Sequence, residues 1–355
     1  MPRLRVLVVE DSITVRKRLC EVLSADAEID VVGEAVDGHE AINMCMTLKP
    51  DVITMDMMLP IVTGLAATEY IMAHCPTPIL VVSAASNRGE LFKMFDALTA
   101  GAVDVLEKPT DGDDDYTWPQ RLLSSVKMVS RIRVITHLRG KIPGAQVPRL
   151  QAGQAAHAGP HICKLIAIGA STGGPSAIVS ILNALPSHLP VPILIVQHIG
   201  EDFGTAFADW LNMQIPQKAS YARHGQLLQQ LTGHVVLAPP GQHLTIRQGR
   251  LLLNAEPMRH SCRPSIDNLF ESIAQACGAS TVACLLTGMG RDGAAGLLSI
   301  KQAGGHTIAQ DEASSTIFGM PREAIKLDAA TQVLSLHDIG PTLASMSTNE
   351  KGVQS

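Results

Sequence analysis

Short apolar, β-branched runs recur along the first 125 residues, and polar segments separate them. Some of these segments are long enough for helices, including 38–48 and 65–74. Strands that alternate with helices are typical of a parallel sheet covered by helices on both faces. The pattern therefore predicts a doubly wound α/β domain. Its predicted strands are residues 4–9, 31–36, 51–55, 79–83 and 103–106.

The second half repeats the α/β pattern after a change in composition. A helical pattern over 120–139 precedes residues 140–161, which are rich in Gly, Pro, Ala and Gln and predict a linker. Alternating residues at 243–253, around Gln248-Gly249, predict an antiparallel hairpin added to a mostly parallel second sheet. The predicted strands of that sheet are residues 164–168, 191–197, 235–238, 281–286 and 306–310.

Composition narrows the function classes. The chain has 355 residues, of which 46% are hydrophobic and 17% charged, as expected for two globular domains. A net charge of −5 and 3% aromatic residues disfavour nucleic-acid binding. Seven scattered cysteines with no CxxC pair indicate neither a disulfide framework nor a zinc site, and they favour a cytoplasmic location. The absence of a long apolar run predicts no membrane insertion, and the acidic residues 111–115 predict a solvated loop.

Polar residues follow the predicted strands of the first domain. Glu10 and Asp11 end the first strand, Asp56 the third and Ser83 the fourth, and Lys108 follows the fifth. The carboxyl ends of parallel strands form a common binding edge. Phosphoryl transfer to a carboxylate requires a nucleophilic oxygen, a divalent cation and donors for the phosphate oxygens. Asp56 offers the oxygen, Glu10 and Asp11 suit Mg²⁺, and Ser83 and Lys108 offer the donors.

Residues 1–125 resemble a bacterial response-regulator receiver domain, which has a flavodoxin-like fold. The resemblance implies phosphorylation by a histidine kinase with Mg²⁺ as cofactor. It implies these roles: phosphoacceptor Asp56; metal ligands Glu10, Asp11 and Asp56; switch hydroxyl Ser83; phosphate-binding Lys108. Two positions depart from the family pattern. Val105 stands where an aromatic residue is usual, which puts aromatic gating in doubt, and Thr63 stands where Asp is frequent.

The segment Gly169-Ala-Ser-Thr-Gly173 fits the G-x-S-x-G pattern of a strand-to-helix turn that exposes a serine nucleophile. A helix that starts near Pro175 would point N–H groups at an oxyanion. A phosphate cradle and a plain glycine turn remain alternatives, although the missing lysine excludes a Walker loop. Ser171 also needs a base and an orienting acid. His198, after the apolar run 192–196, and Asp292, in a glycine-dense loop, are the candidates.

Residues 163–345 resemble the catalytic domain of the chemotaxis protein-glutamate methylesterase family, with a Rossmann-like three-layer fold. The matching segments are IGASTGGP (168–175), VQHI (196–199), LAPPGQH (237–243), RPSID (263–267) and LTGMGRDGA (286–294). The resemblance implies a nucleophile, a general base, an orienting acid and two oxyanion-hole amides: Ser171, His198, Asp292, Thr172 and Met289. The predicted organisation is receiver 1–125, interdomain helix and linker 126–162, methylesterase 163–345 and tail 346–355.

The expected function is phosphorylation-activated hydrolysis of glutamate methyl esters, and deamidation of glutamines, on methyl-accepting chemoreceptors. The esterase reaction is expected to need no cofactor, and the unphosphorylated receiver is expected to cover the Ser171 cleft. The alternative is a catalytically inactive scaffold that kept the fold. A DNA-binding regulator is disfavoured because the second half lacks a helix-turn-helix pattern and a basic recognition helix.

Overall fold

The computed structural model describes residues 2–84, 87–108, 117–132, 134 and 163–348, with only the backbone of Asp202. The predicted acidic loop 111–115, the linker 140–161, nearly all of the helical pattern beyond 132 and the tail from 349 lie outside the described residues. The chain divides into two compact units, one within residues 1–149 and the other within 150–355. The predicted domain bounds stay predictions.

The first unit is a five-stranded, wholly parallel sheet in the order β2-β1-β3-β4-β5. Each strand lies within two residues of its predicted bounds, so the predicted doubly wound fold is confirmed. The strands are β1 Leu4–Val9, β2 Ile29–Ala35, β3 Val52–Met55, β4 Ile79–Ser83 and β5 Asp104–Glu107. The helices are α1 Ile13–Ser24, α2 Gly38–Leu48, α3 Gly64–His74, α4 Arg88–Thr99 and α5 Thr117–Val129.

Alternate strand residues supply the two faces of this sheet. Val6 and Val8 of β1 belong to a core that α1 and α5 close with Leu19, Trp118 and Leu122. The helices α2, α3 and α4 pack side by side on the other face. The amphipathic helices therefore bury the apolar strand runs from both sides, which explains why these strands read as continuous hydrophobic segments.

N-caps fix where several of these helices begin. The side chains of Ser12, Asp37 and Asn87 accept backbone N–H groups in the first turns of α1, α2 and α4. Thr63 caps α3 in the same way, because its Oγ1 accepts the N–H of Ala66 at 3.3 Å. The replacement of the usual Asp by Thr63 therefore keeps a side-chain oxygen that serves as an N-cap.

The second unit is built on a seven-stranded parallel sheet in the order β14-β13-β12-β6-β7-β9-β8. Its strands are β6 Leu165–Ala170, β7 Ile193–Gln197, β8 Lys218–Tyr221, β9 His234–Leu237, β12 Thr281–Leu285, β13 His306–Gln310 and β14 Gln332–Leu334. Its helices are α6 Gly174–Ala184, α7 Glu201–Gln214, α8 Ile266–Cys277, α9 Ala294–Gln302, α10 Met320–Lys326 and α11 Leu336–Thr348. The two edge strands β8 and β14 escaped prediction because they are short and partly exposed.

The predicted hairpin forms, but it does not join the main sheet. Strands β10 His243–Arg247 and β11 Arg250–Asn254 pair antiparallel in a separate two-stranded sheet. Gln248 and Gly249 have φ values of +51° and +69°, the left-handed pair that a tight hairpin turn requires. The hairpin packs on α8, where the Ser272 hydroxyl accepts the N–H of Ile246 at 3.0 Å. The main sheet is therefore wholly parallel, and the predicted parallel α/β unit with an added hairpin is confirmed.

Two helical layers cover the main sheet and complete a three-layer unit. On one face, Leu165 and Ala167 of β6 share a buried core with residues of α8, α9, α10 and the hairpin. On the other face, α6 packs against α11 and against β6. Among the helices within the described ranges, none is both long and apolar enough to span a bilayer.

Leu122 is fully buried in the α5 contact of the first unit. We expect Leu122→Ala to lower the free energy of unfolding of that unit by about 2–5 kcal/mol, because it leaves a cavity that the sheet cannot refill. Arg121→Ala, at the exposed neighbouring position, should change it by less than about 0.5 kcal/mol. Urea unfolding of the full chain measures both variants, and equal losses would contradict this packing.

Candidate active site

The predicted triad converges where the strand order of the second sheet reverses. β6 lies between β7 and β12, and Ala170 of β6 pairs with Gln197 of β7. Ser171 directly follows the last residue of β6, and His198 directly follows the last residue of β7. The His198 N–H donates to the Ala170 carbonyl at 2.9 Å. The parallel register therefore brings the predicted nucleophile and base side by side, next to the reversal of strand order between β6 and β12, which is the usual ligand crevice of such sheets.

The turn after β6 holds Ser171 in place through its backbone. The Ser171 N–H donates to the carbonyl of Thr287 at 3.0 Å, and the Gly174 N–H donates to the Ser171 carbonyl at 2.7 Å. Gly173 has φ +78°, and a Cβ there would lie 2.4 Å from Thr316 Oγ1. The predicted strand-to-helix elbow is therefore present, and only glycine fits its tightest position.

Gln197, at the end of β7, ties the two strand ends together. Its Nε2 donates to the carbonyls of both Ser171 (2.9 Å) and His198 (2.8 Å), and its side chain is buried. The sequence analysis missed this role because a glutamine at a strand end carries no distinctive pattern. The amide fixes the backbones of both residues and so limits how far they can move relative to one another.

Asp292 accepts a hydrogen bond from the imidazole of His198, and the first residues of α8 hold its carboxylate in place. Its Oδ2 lies 2.8 Å from His198 Nε2 and accepts the N–H of Ile266 at 2.7 Å. Its Oδ1 accepts the Ser265 hydroxyl at 2.8 Å and the N–H of Asp267 at 3.1 Å. All these donors meet a side chain that is 3% exposed. The predicted orienting acid is therefore a buried carboxylate whose two oxygens are both hydrogen-bonded.

These contacts determine the charge of Asp292. Burial by itself would raise the pKa of this carboxyl, but the hydrogen bond from His198 and the N–H groups of Ile266 and Asp267 outweigh burial and lower the pKa. Ser265 is the N-cap of α8 and accepts the N–H of Asn268 while it donates to the carboxylate. Free N–H groups at a helix start favour an anion, so Asp292 stays ionised in the interior.

His198 has a different partner at each ring nitrogen. Since an ionised carboxylate only accepts, the Nε2 that faces Asp292 carries the proton, and Nδ1 holds the lone pair of the neutral ring. The thiol of Cys262 lies 3.6 Å from that Nδ1. Burial would lower the pKa of His198, but Asp292 and Cys262 outweigh burial and raise the pKa to about 9. The sequence analysis did not single out Cys262.

Two backbone N–H groups face no acceptor beside this centre. Within the described ranges, the N–H groups of Thr172 and Met289 donate to no other protein group. The Met289 loop is held by the Gly288 N–H, which donates to the Ile317 carbonyl at 3.0 Å, and the Thr287 hydroxyl donates to the Thr172 carbonyl at 3.0 Å. The predicted oxyanion-hole amides therefore lie on two segments that Thr287 joins.

A second polar site lies at the switch point of the first sheet, between β1 and β3. Asp56 is buried, and its two oxygens accept the Ser83 hydroxyl and the Lys108 ammonium, each at 2.9 Å. Lys108 also lies 2.8 Å from Glu10. Burial would lower the pKa of Lys108, but Glu10 and Asp56 outweigh burial and raise it. Burial is the main reason that the pKa of Glu10 lies above its usual value.

The carboxylates of this first site fit a divalent cation. Glu10, Asp11 and Asp56 each offer an oxygen within 4.8 Å of the others, and Asp11 is exposed to solvent. Mg²⁺ prefers one or two carboxylates together with several waters. All five residues predicted for this site come together. Four of them are buried or partly buried, and Asp11 is exposed to solvent. Val105, the departure from the family pattern, is half-buried in β5.

Comparisons with known proteins cover both units. The family described as CheB methylesterase matches residues 166–343, and the response regulator receiver domain family matches residues 6–115. A protein of Nitrosospira multiformis named protein-glutamate methylesterase/protein-glutamine glutaminase is 41% identical over 97% of each chain. A relative of the same name from Syntrophus aciditrophicus is 41% identical and covers 97% of this chain and 98% of its own. The solved CheB methylesterase catalytic domain of Thermotoga maritima is 32% identical and covers 52% of this chain and 98% of its own, with TM-score 0.49.

The contacts of His198 can be tested by its titration. We expect the imidazole to lose its proton with a midpoint at about pH 9, above the ordinary value of 6.5, because Asp292 stabilises the protonated ring. Cys262→Ala should lower the midpoint, and Asp292→Asn should lower it further. Histidine NMR of the full chain, assigned with His198→Gln, measures these values. A midpoint at or below 6.5 in the parent protein would contradict the geometry.

Proposed function

This chain belongs to the CheB methylesterase family, and we propose that it hydrolyses methyl esters of glutamate side chains on methyl-accepting chemoreceptors. We also propose that it deamidates glutamines at such sites, as the names of its relatives indicate for those proteins. The observation that carries the proposal is the convergence of Ser171, His198 and Asp292 at the switch point of the second sheet. Both reactions are acyl transfers, so one serine centre serves them.

Acylation follows from the contacts of the site. Ser171 Oγ attacks the ester carbonyl carbon, and its proton passes to Nδ1 of His198, the nitrogen with the free lone pair. Asp292 holds the Nε2 proton and stabilises the imidazolium that forms. The N–H groups of Thr172 and Met289 stabilise the oxyanion. His198 then gives its proton to the departing methoxide, and methanol leaves an acyl-enzyme on Ser171.

Deacylation reverses these roles with water. His198 takes a proton from the water that attacks the acyl carbon, and the Ser171 oxygen leaves with that proton as the glutamate side chain of the receptor is released as a carboxylate. A glutamine substrate gives the same acyl-enzyme but releases ammonia instead of methanol. Acylation and deacylation each begin with a neutral His198, whose pKa is raised to about 9. We therefore expect faster hydrolysis on the alkaline side of neutrality.

We propose that the first unit is the phosphorylation switch of this enzyme, with a histidine kinase as phosphodonor. Asp56 would accept the phosphoryl group, and Glu10, Asp11 and Asp56 would hold Mg²⁺, which offsets phosphate charge when bound. The Ser83 hydroxyl and the Lys108 ammonium already donate to Asp56, so both are within reach of a phosphoryl group on it.

The form of regulation stays a prediction. The receiver is predicted to cover the Ser171 cleft until phosphorylation shifts the equilibrium between its states. One phosphoryl group can form several charge-assisted hydrogen bonds, enough to bias such an equilibrium. Val105 leaves no aromatic side chain at its position, so we propose that Ser83 carries the switch without aromatic gating. Seven free cysteines support a cytoplasmic location.

Methanol release tests the proposed function directly. Methylated chemoreceptor membranes should release methanol when the full chain is added, and a small phosphodonor with Mg²⁺ should increase the rate. Ser171→Ala should abolish release under both conditions. Asp56→Asn should keep the basal rate and lose only the stimulation. No release by the parent chain under either condition would overturn the esterase proposal and return the scaffold alternative.

Ser265 offers a test of the α8 contact with Asp292. We expect Ser265→Ala to lower kcat/KM by about 10- to 150-fold, because a hydrogen bond to a charged group contributes about 1.5–3 kcal/mol. Ser272→Ala is the matched control on the same helix, since its hydroxyl bonds to Leu269 and Ile246 and not to the triad. Steady-state methanol release measures both variants, and an equal loss in the two would show that the effect is structural.

A further inference from the structure

Cys262 lies beside the proposed general base, and the proposed esterase mechanism gives it no role. Its Sγ is 3.6 Å from His198 Nδ1 and 3.4 Å from the carbonyl oxygen of His260. Both Cys262 and His198 are partly buried. One donor atom from each of His198, Cys262 and Asp292 lies within 4.8 Å of the other two. The base nitrogen therefore faces a soft ligand.

The separation of the thiol and the imidazole fits a bound metal ion. Zinc forms bonds of about 2.3 Å to thiolate sulfur and about 2.0–2.1 Å to imidazole nitrogen, which in tetrahedral geometry places the two donors about 3.6 Å apart. The observed distance from Cys262 Sγ to His198 Nδ1 is 3.6 Å. A cation between them would need no change in that separation.

The other side of His198 completes the arrangement that metal-binding histidines use. Such a histidine donates its second ring N–H to a carboxylate, which fixes the ring and makes the free nitrogen a better ligand. His198 Nε2 does so to Asp292 at 2.8 Å, and Asp292 is in turn held by Ser265 and the N–H groups of α8. Nδ1 is thereby fixed with its lone pair toward Cys262.

We propose that Cys262 and His198 form a binding site for a thiophilic divalent cation such as Zn²⁺, and that the bound cation switches off hydrolysis. On binding, the Cys262 thiol and the protonated fraction of His198 Nδ1 release their protons to solvent. Sγ and Nδ1 each form a bond to the metal, and water takes its remaining positions. The lone pair of Nδ1 is then unavailable to the Ser171 proton. The inhibition, but not the binding, rests on the proposed esterase function.

The donor set separates this cation from the one proposed for the receiver. Thiolate and imidazole favour Zn²⁺ and its soft relatives, whereas Mg²⁺ requires oxygen ligands. Mg²⁺ at the concentration that supports Asp56 phosphorylation should therefore leave hydrolysis uninhibited. The thiols of Cys45 and Cys75 lie 3.5 Å apart in the first unit and could also capture a soft metal, so a test must remove that pair.

Cadmium absorption tests binding without any activity. Full-length protein carrying Cys75→Ala is titrated with Cd²⁺, whose bond to a thiolate absorbs in the ultraviolet. We expect a saturable band that is lost when Cys262→Ala is added and lost when Cys262→Ser is added instead. A band that persists in both would overturn the site. This readout stands even if the chain proves to have no esterase activity.

Zinc inhibition of methanol release tests the consequence. Each variant is measured against its own rate in the presence of a chelator. We expect Cys262→Ala and Cys262→Ser to raise the half-inhibiting Zn²⁺ concentration by at least about tenfold, whereas Cys75→Ala should match the parent chain. An unchanged value in both Cys262 variants would overturn the proposed switch. No release in chelator would instead count against the esterase proposal and leave the cadmium result to decide the site.

Discussion

The catalytic unit depends on one buried carboxylate and the helix that holds it. Asp292 meets the first two N–H groups of α8, the hydroxyl of the N-cap Ser265 and the imidazole of His198. A buried carboxylate without these donors would protonate rather than keep its charge. The same contacts fix the N-terminus of α8, and this helix packs on the hairpin and against the main sheet. The charge of Asp292 and the position of α8 therefore depend on the same hydrogen bonds.

Both units use the same property of parallel sheets. Where the strand order reverses, the carboxyl ends of neighbouring strands open a crevice in which side chains from distant segments meet. In the first unit Asp56 meets Glu10 through the pairing of β3 with β1. In the second unit Ser171 follows β6 and Asp292 lies in the loop after its neighbour β12, across the reversal of strand order. The proposed phosphate-accepting switch and the proposed serine centre thus share one architectural rule.

Neighbouring groups set the protonation of His198, the proposed general base. An imidazole between Asp292 and the thiol of Cys262 holds its proton to higher pH than a free histidine. That property helps it to stabilise the imidazolium of acyl transfer, but it leaves less of the neutral base at neutral pH. The Cys262 thiol also offers a soft cation a second donor atom beside Nδ1. A cation bound to both atoms would compete with the Ser171 proton for the lone pair of Nδ1.

The sequence by itself determined the two α/β units and ten of their strands to within two residues, and it predicted side chains for each site. It could do so because buried parallel strands read as continuous apolar runs and because polar residues at strand ends share one edge. It did not predict the roles of Gln197, Ser265 and Cys262, nor that the hairpin forms a sheet of its own. Their roles depend on the α8 N-terminus meeting Asp292 and on the register that brings β6, β7 and β12 together. Such contacts join residues far apart in the chain, and only the folded structure decides them.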